Sequence, residues 1–80
     1  MNKVIRLKGN MNKVYFPSGI VSIEHVTIDR HGNVYTEIIF ANDSSIKVSD
    51  HIDAILDNLK NQEGDMLLEE YQYKVNRFVK

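Results

Sequence analysis

Alternating apolar and polar residues in the first part of the chain predict short β-strands. Each apolar run stops at a group of turn-forming Gly, Pro, Asn or Asp residues, which is the pattern of strands joined by tight turns. The predicted strands cover residues 3–7, 14–16, 20–28, 34–40 and 45–48. In the third run Val21 and Ile23 share one face of the strand, whereas Val26 and Ile28 share the other face. A β-bulge, or burial on both faces, would produce that change.

The rest of the chain has the apolar spacing of helices. Ser49 is the predicted N-cap of the first helix, because its hydroxyl can accept a hydrogen bond from a free amide of the first turn. The apolar stripe of this helix is formed by Ile52, Ile55, Leu56 and Leu59. After a break at residues 61–64, Asp65 is predicted to cap a second helix. Its stripe comprises Leu67, Leu68, Tyr71, Val75, Phe78 and Val79.

These patterns predict one α+β domain over residues 1–80. We expect an antiparallel sheet of four to five strands, as a meander or small barrel, in residues 1–48, followed by two amphipathic helices in residues 49–80. The composition, with 42% hydrophobic and 26% charged residues among 80, is typical of a small globular domain. No export signal and no membrane-spanning run is visible, so we expect a cytoplasmic protein without a membrane partner.

The residue inventory argues against an enzyme. The chain has no cysteine, and its four glycines form no phosphate-binding motif. His25, Asp29 and His31 share strand parity, but an extended strand would separate the two histidines by ~20 Å, too far for one metal ion. We therefore expect no catalytic residue, no cofactor and no metal.

Charge directs attention to the second half of the chain. The net charge is -1, but most acidic residues follow residue 40. Asp50, Asp53 and Asp57 lie opposite the apolar stripe of the first predicted helix. They form either an ordinary solvated face, helped by the helix dipole, or an acidic ridge for a partner with a basic surface.

The second predicted helix carries an aromatic residue outside its apolar stripe. Tyr73 is expected beside Glu69 and Arg77, with Met66 on the same side. It is either an exposed tyrosine covered by its neighbours or a protein-binding anchor, since Tyr and Arg are frequent at binding hot spots. The predicted partner-binding residues are thus Asp50, Asp53, Asp57, Met66, Glu69, Tyr73 and Arg77.

Nucleic-acid binding is a weaker alternative. A small barrel can stack bases on aromatic residues, here Tyr15, Phe16, Tyr35 and Phe40. The basic residues, however, are spread thinly along the strands, and the isoelectric point is near 6.3. We therefore interpret these aromatic residues as core.

Arg6, Leu7 and Gly9 stand in the first part of the chain, among apolar strand segments that precede an Ile/Leu-rich helix. In this pattern residues 4–60 resemble the small bacterial flagellar or swarming-motility accessory proteins. The resemblance implies four strands followed by a helix and no catalytic residues. The size and the Asn, Lys and Ile content are also similar to those of small phage-encoded inhibitors.

The predicted function is therefore that of a small non-enzymatic regulator that binds a protein. The preferred version is a phage or mobile-element inhibitor of a bacterial host or defence complex. The alternatives are a flagellar or swarming-motility accessory protein and a small-barrel nucleic-acid-binding protein. Formation of a homodimer is a further expectation, because a chain of this size buries little surface alone.

Overall fold

A computed structural model describes residues 3–28, 33–61 and 64–72, and within them the protein is mostly β. This part of the chain contains six strands, one α-helix and one 3₁₀ turn. In chain order these are β1 (Ile5–Leu7), β2 (Asn10–Tyr15), the 3₁₀ turn (Pro17–Gly19), β3 (Ile20–Ile28), β4 (Asn33–Phe40), β5 (Ser45–Val48), α1 (Ile52–Lys60) and β6 (Met66–Leu68).

The strands form two sheets of three strands each. The first sheet has the order β2-β1-β6, in which β1 is antiparallel to β2 and parallel to β6. The second sheet is an antiparallel meander of β3, β4 and β5. The predicted irregularity of the third run is present as a register shift between Ile20 and Ser22. It lies nearer the start of the strand than the sequence indicated and leaves Val21 exposed.

Residues 66–71, which include β6 and which we call the closing segment, link the two sheets. Its first half pairs with β1, where the Met66 amide donates to the Val4 carbonyl at 2.7 Å. Its second half runs beside β5, where the Tyr71 amide donates to the Lys47 carbonyl at 2.8 Å. An antiparallel bridge between Val48 and Glu70 lies between these contacts. This continuous stretch of backbone includes β6, an edge strand of the first sheet, and it then pairs with β5, an edge strand of the second sheet.

Both sheets and the helix contribute to one hydrophobic core. Burial alternates along β5 and β6, as expected for strands with one face inward. The core consists of Ile5, Leu7, Ile38, Phe40, Ile46, Val48, Ile55, Met66 and Leu68, with Tyr15, Ile20, Ile23 and Leu59 packed against it.

The first predicted helix is present as α1, but its N-cap is not Ser49. His51 is the N-cap, and its Nδ1 accepts a hydrogen bond from the Asp53 amide at 3.1 Å. Ser49 lies before the helix start and contacts Glu69 instead: its amide and its hydroxyl donate to the Glu69 carbonyl at 2.9 and 3.3 Å. At the other end of α1 the buried Lys3 ammonium group donates to the Asn58 carbonyl at 2.6 Å, where the helix dipole favours a positive charge.

The prediction of one sheet followed by two helices is wrong. Residues 66–68 form a strand that pairs with β1. This pairing satisfies backbone amide and carbonyl groups of β1, which would lack these partners if residues 66–68 were helical. The Leu67, Leu68 and Tyr71 spacing suits a helical stripe as well as a short strand, so periodicity could not separate the two. The remainder of the predicted second helix, residues 73–80, lies outside the described residues. No helix in the described part is long and apolar enough to cross a membrane.

Candidate functional site

A groove runs between the two sheets, and we call it the inter-sheet groove. It consists of two clefts of about 450 and 440 Å³ that share part of their lining. The first lies against the β4–β5 turn, and the second lies against β5 and the segment after β6. The residues that define the groove here are Lys13, Tyr15, Phe16, Phe40, Lys47 and Tyr71.

One end of the groove is aromatic. The Tyr15 ring, at the end of β2, stacks on Phe40 with a centroid distance of 5.2 Å and an interplanar angle of 17°. Phe40 is buried and fixes this stack to the core. Phe16 follows directly and is 58% exposed, which is unusual for a phenylalanine. The Ala41 amide donates to the Gly19 carbonyl at 2.8 Å and holds the turn after Phe16 against the β4–β5 turn.

Two lysines that line the groove, Lys13 and Lys47, lie over tyrosine rings. Lys13 Nζ is 5.3 Å from the centroid of the Tyr15 ring, and Lys47 Nζ is 5.5 Å from that of Tyr35. Both distances fit cation–π contacts. The Tyr35 ring also lies 5.0 Å from Tyr71, which extends the aromatic surface. Each ammonium group therefore lies against a tyrosine ring.

Strand β2 forms one wall of the groove and is the edge strand of its sheet. Its ladder partner in the described part of the chain is β1. Met11 of β2 is 47% exposed, and its carbonyl accepts a hydrogen bond from Arg6 Nη1 at 2.8 Å. An edge strand presents backbone donors and acceptors that an extended segment of another chain can pair with.

Sequence reasoning missed this arrangement because its members are distant in the chain. The lysines looked scattered, and the aromatic residues were interpreted as core. Phe40 is indeed buried, but Phe16 is not, and the closing segment carries Tyr71 to the ring of Tyr35. The signal available in the sequence was the position of Phe16 directly before Pro17, at the end of a strand.

The structure separates the predicted acidic residues. Asp53 and Asp57 are exposed on α1, and Leu56 of the same helix is 42% exposed. The Asp50 carboxylate instead accepts a hydrogen bond from the Glu69 amide at 2.7 Å, so it holds the closing segment in place. The side chain of Glu69 is exposed. The acidic face that is free for a partner is therefore centred on Asp53 and Asp57.

Met66, another predicted partner-binding residue, is not on the surface. It is fully buried, because it points into the core from β6 and not outward from a helix. The prediction that Met66 lies on an outer helix surface is wrong. Tyr73 and Arg77 lie outside the described residues.

The sequence argument against a metal site concerned His25, Asp29 and His31, of which Asp29 and His31 lie outside the described residues. The His25 ring lies beside His51, with 5.8 Å between ring centroids. Among the described residues, no group of three or more His, Cys, Asp or Glu side chains is arranged to hold a metal ion.

No family model, curated protein or solved structure matches the chain.

Proposed function

We propose that this chain is a small non-enzymatic regulator that binds a partner protein through the inter-sheet groove. The observation that carries the proposal is the exposed ring of Phe16 beside the stacked pair of Tyr15 and Phe40. Aromatic side chains in pockets provide much of the binding energy of protein interfaces. The Phe16 ring, exposed on the rim of an aromatic cleft, is therefore suited to contact a partner protein.

The chemistry of the groove defines the partner segment. The exposed edge of β2 suits an extended chain, since backbone pairing along an edge strand is a common mode of peptide recognition. The Phe16 end suits an apolar side chain, and Lys13 and Lys47 suit a carboxylate. The expected partner segment is therefore extended, with one apolar residue and one or more acidic residues further along.

The acidic face of α1 is a second surface that supports protein binding. Asp53 and Asp57 are both exposed on α1, so a basic partner surface would complement this face. This face retains the sequence-based proposal of a basic partner. The two surfaces differ in charge, so charge reversal distinguishes them.

The more specific roles are proposals supported by sequence alone. Inhibition of a bacterial host or defence complex rests on size and composition, and a motility accessory role rests on the pattern of residues 4–60. Either role would use the binding surface proposed here. Genes adjacent to the coding sequence, phage or flagellar, distinguish the two.

Binding of single-stranded nucleic acid is the second candidate function. The two lysine–tyrosine pairs favour it, since tyrosine rings stack bases and ammonium groups contact phosphates. Against it, Glu70 lines the same cleft and the chain has a net charge of -1. Binding of a labelled oligonucleotide that weakens steeply with salt would establish this function in place of the protein partner.

The experiment is quantitative affinity capture from a bacterial lysate with matched variants. Phe16→Ser and Lys13→Glu alter the groove, whereas Val21→Ser changes an apolar residue of similar exposure that does not line it. We expect a partner that is retained by Val21→Ser and reduced at least tenfold by either groove variant. A partner lost instead on Asp53→Lys would assign binding to the acidic face and contradict the groove.

A further inference from the structure

Two histidines from different elements lie side by side on the surface. His25 is in the middle of β3, His51 is the N-cap of α1, and their rings are 5.8 Å apart between centroids and tilted by 39°. The backbone fixes this pair. His25 is in register with Thr36 of β4, and the Thr36 hydroxyl donates to the carbonyl of Asp50, the residue before His51, at 2.8 Å.

The separation of the rings fits a shared metal ion. Two imidazoles that bind one zinc ion, with Zn–N distances of about 2.0–2.1 Å, place their ring centroids about 5–6 Å apart. We infer that His25 and His51 form a binding site for one divalent transition metal ion of the imidazole-preferring class, Zn²⁺, Ni²⁺ or Cu²⁺. Water molecules complete the coordination, because the site is open to solvent.

The Asp53 carboxylate lies close to His51. Its Oδ2 is 3.7 Å from His51 Nδ1. A histidine that binds metal through Nε2 carries its proton on Nδ1, and a carboxylate commonly accepts that proton's hydrogen bond. Asp53 is positioned to do so, and its negative charge also offsets the positive end of the α1 dipole.

Metal binding at His51 Nε2 would change the N-cap. In the structure His51 Nδ1 accepts a hydrogen bond from the Asp53 amide, which requires Nδ1 to lack a proton. With the metal bound, Nδ1 donates to the Asp53 carboxylate instead. The first turn of α1 therefore exchanges one hydrogen bond for another, and the overall fold is expected to stay the same.

Isothermal titration of the full chain with zinc chloride tests the site. We expect one zinc ion per chain for the wild type. His25→Ala and His51→Asn should each weaken binding at least tenfold, since even contacts behind a metal ligand contribute 10–100-fold. Asparagine is a good N-cap, so His51→Asn removes the imidazole while leaving α1 capped. Circular dichroism checks that both variants fold.

His31→Ala is the matched control, because it removes the remaining histidine of the chain. We expect it to bind zinc as the wild type does. Wild-type affinity in His25→Ala or His51→Asn would overturn the inference, as would a loss in His31→Ala equal to that in His25→Ala. This test is independent of the partner-binding proposal, because neither His25 nor His51 lines the inter-sheet groove.

Discussion

Truncation of Met66 tests the most consequential difference between the sequence pattern and the fold. In β6, Met66 and Leu68 are 0% and 2% exposed, whereas Leu67 between them is 45% exposed. The predicted helix instead placed Leu67 in the buried stripe and Met66 on the outer face. Replacing each residue by alanine therefore distinguishes the strand from the helix.

The magnitudes follow from burial. Met66→Ala removes a fully buried side chain and leaves a cavity, for which the typical loss is about 2–5 kcal/mol in the free energy of unfolding. Leu67→Ala removes a side chain already half in water, so the expected loss is about 1 kcal/mol. An 80-residue domain has roughly 4–12 kcal/mol of stability, so Met66→Ala is expected to remain measurable in many cases.

Urea denaturation followed by circular dichroism measures both variants. If Met66→Ala is too unstable to give a folded baseline, Met66→Leu provides a milder change with an expected loss below about 1.5 kcal/mol. Equal m-values would show that the variants unfold in the same way. A larger loss for Leu67→Ala than for Met66→Ala would refute the strand and the core built on it.

Three further predictions concern the ends of α1 and the turns. His51→Ala should lower the free energy of unfolding by about 1 kcal/mol in urea denaturation, whereas His51→Asn should retain it, because asparagine also caps helices. Lys3→Met should cost about 1.5–3 kcal/mol in the same assay, since it removes a charged donor from the Asn58 carbonyl; no loss would contradict that contact. Gly64→Ala should lower the melting temperature because Gly64 has φ 77°, whereas Gly9→Ala, in open space, should not.

The local elements could be predicted from the sequence because their signals are local. The first four apolar runs before residue 41 correspond to β1–β4, although β2 begins four residues earlier than predicted. The stripe around Ile55 correctly predicted α1. These patterns depend on neighbours within a few residues, which is the range over which side-chain periodicity carries information.

The pairing of β6 could not be predicted, because it depends on the distant strand β1. Three residues are too few to show a hydrophobic period, and the parallel pairing of Met66 with Ile5 is a contact between distant parts of the chain. The same holds for the inter-sheet groove. Its stacked pair of Tyr15 and Phe40 forms across two sheets, and no spacing in the sequence brings these rings together.

Site-specific photo-crosslinking at Phe16 tests the central claim most directly. A benzoylphenylalanine residue replaces Phe16 in one variant and Val21 in a second, and both are irradiated in a bacterial lysate. The account predicts a crosslinked protein from position 16 that is absent from position 21 and is lost when Lys13→Glu is added. Crosslinks of equal yield from both positions, or none from position 16, would contradict partner binding through the inter-sheet groove.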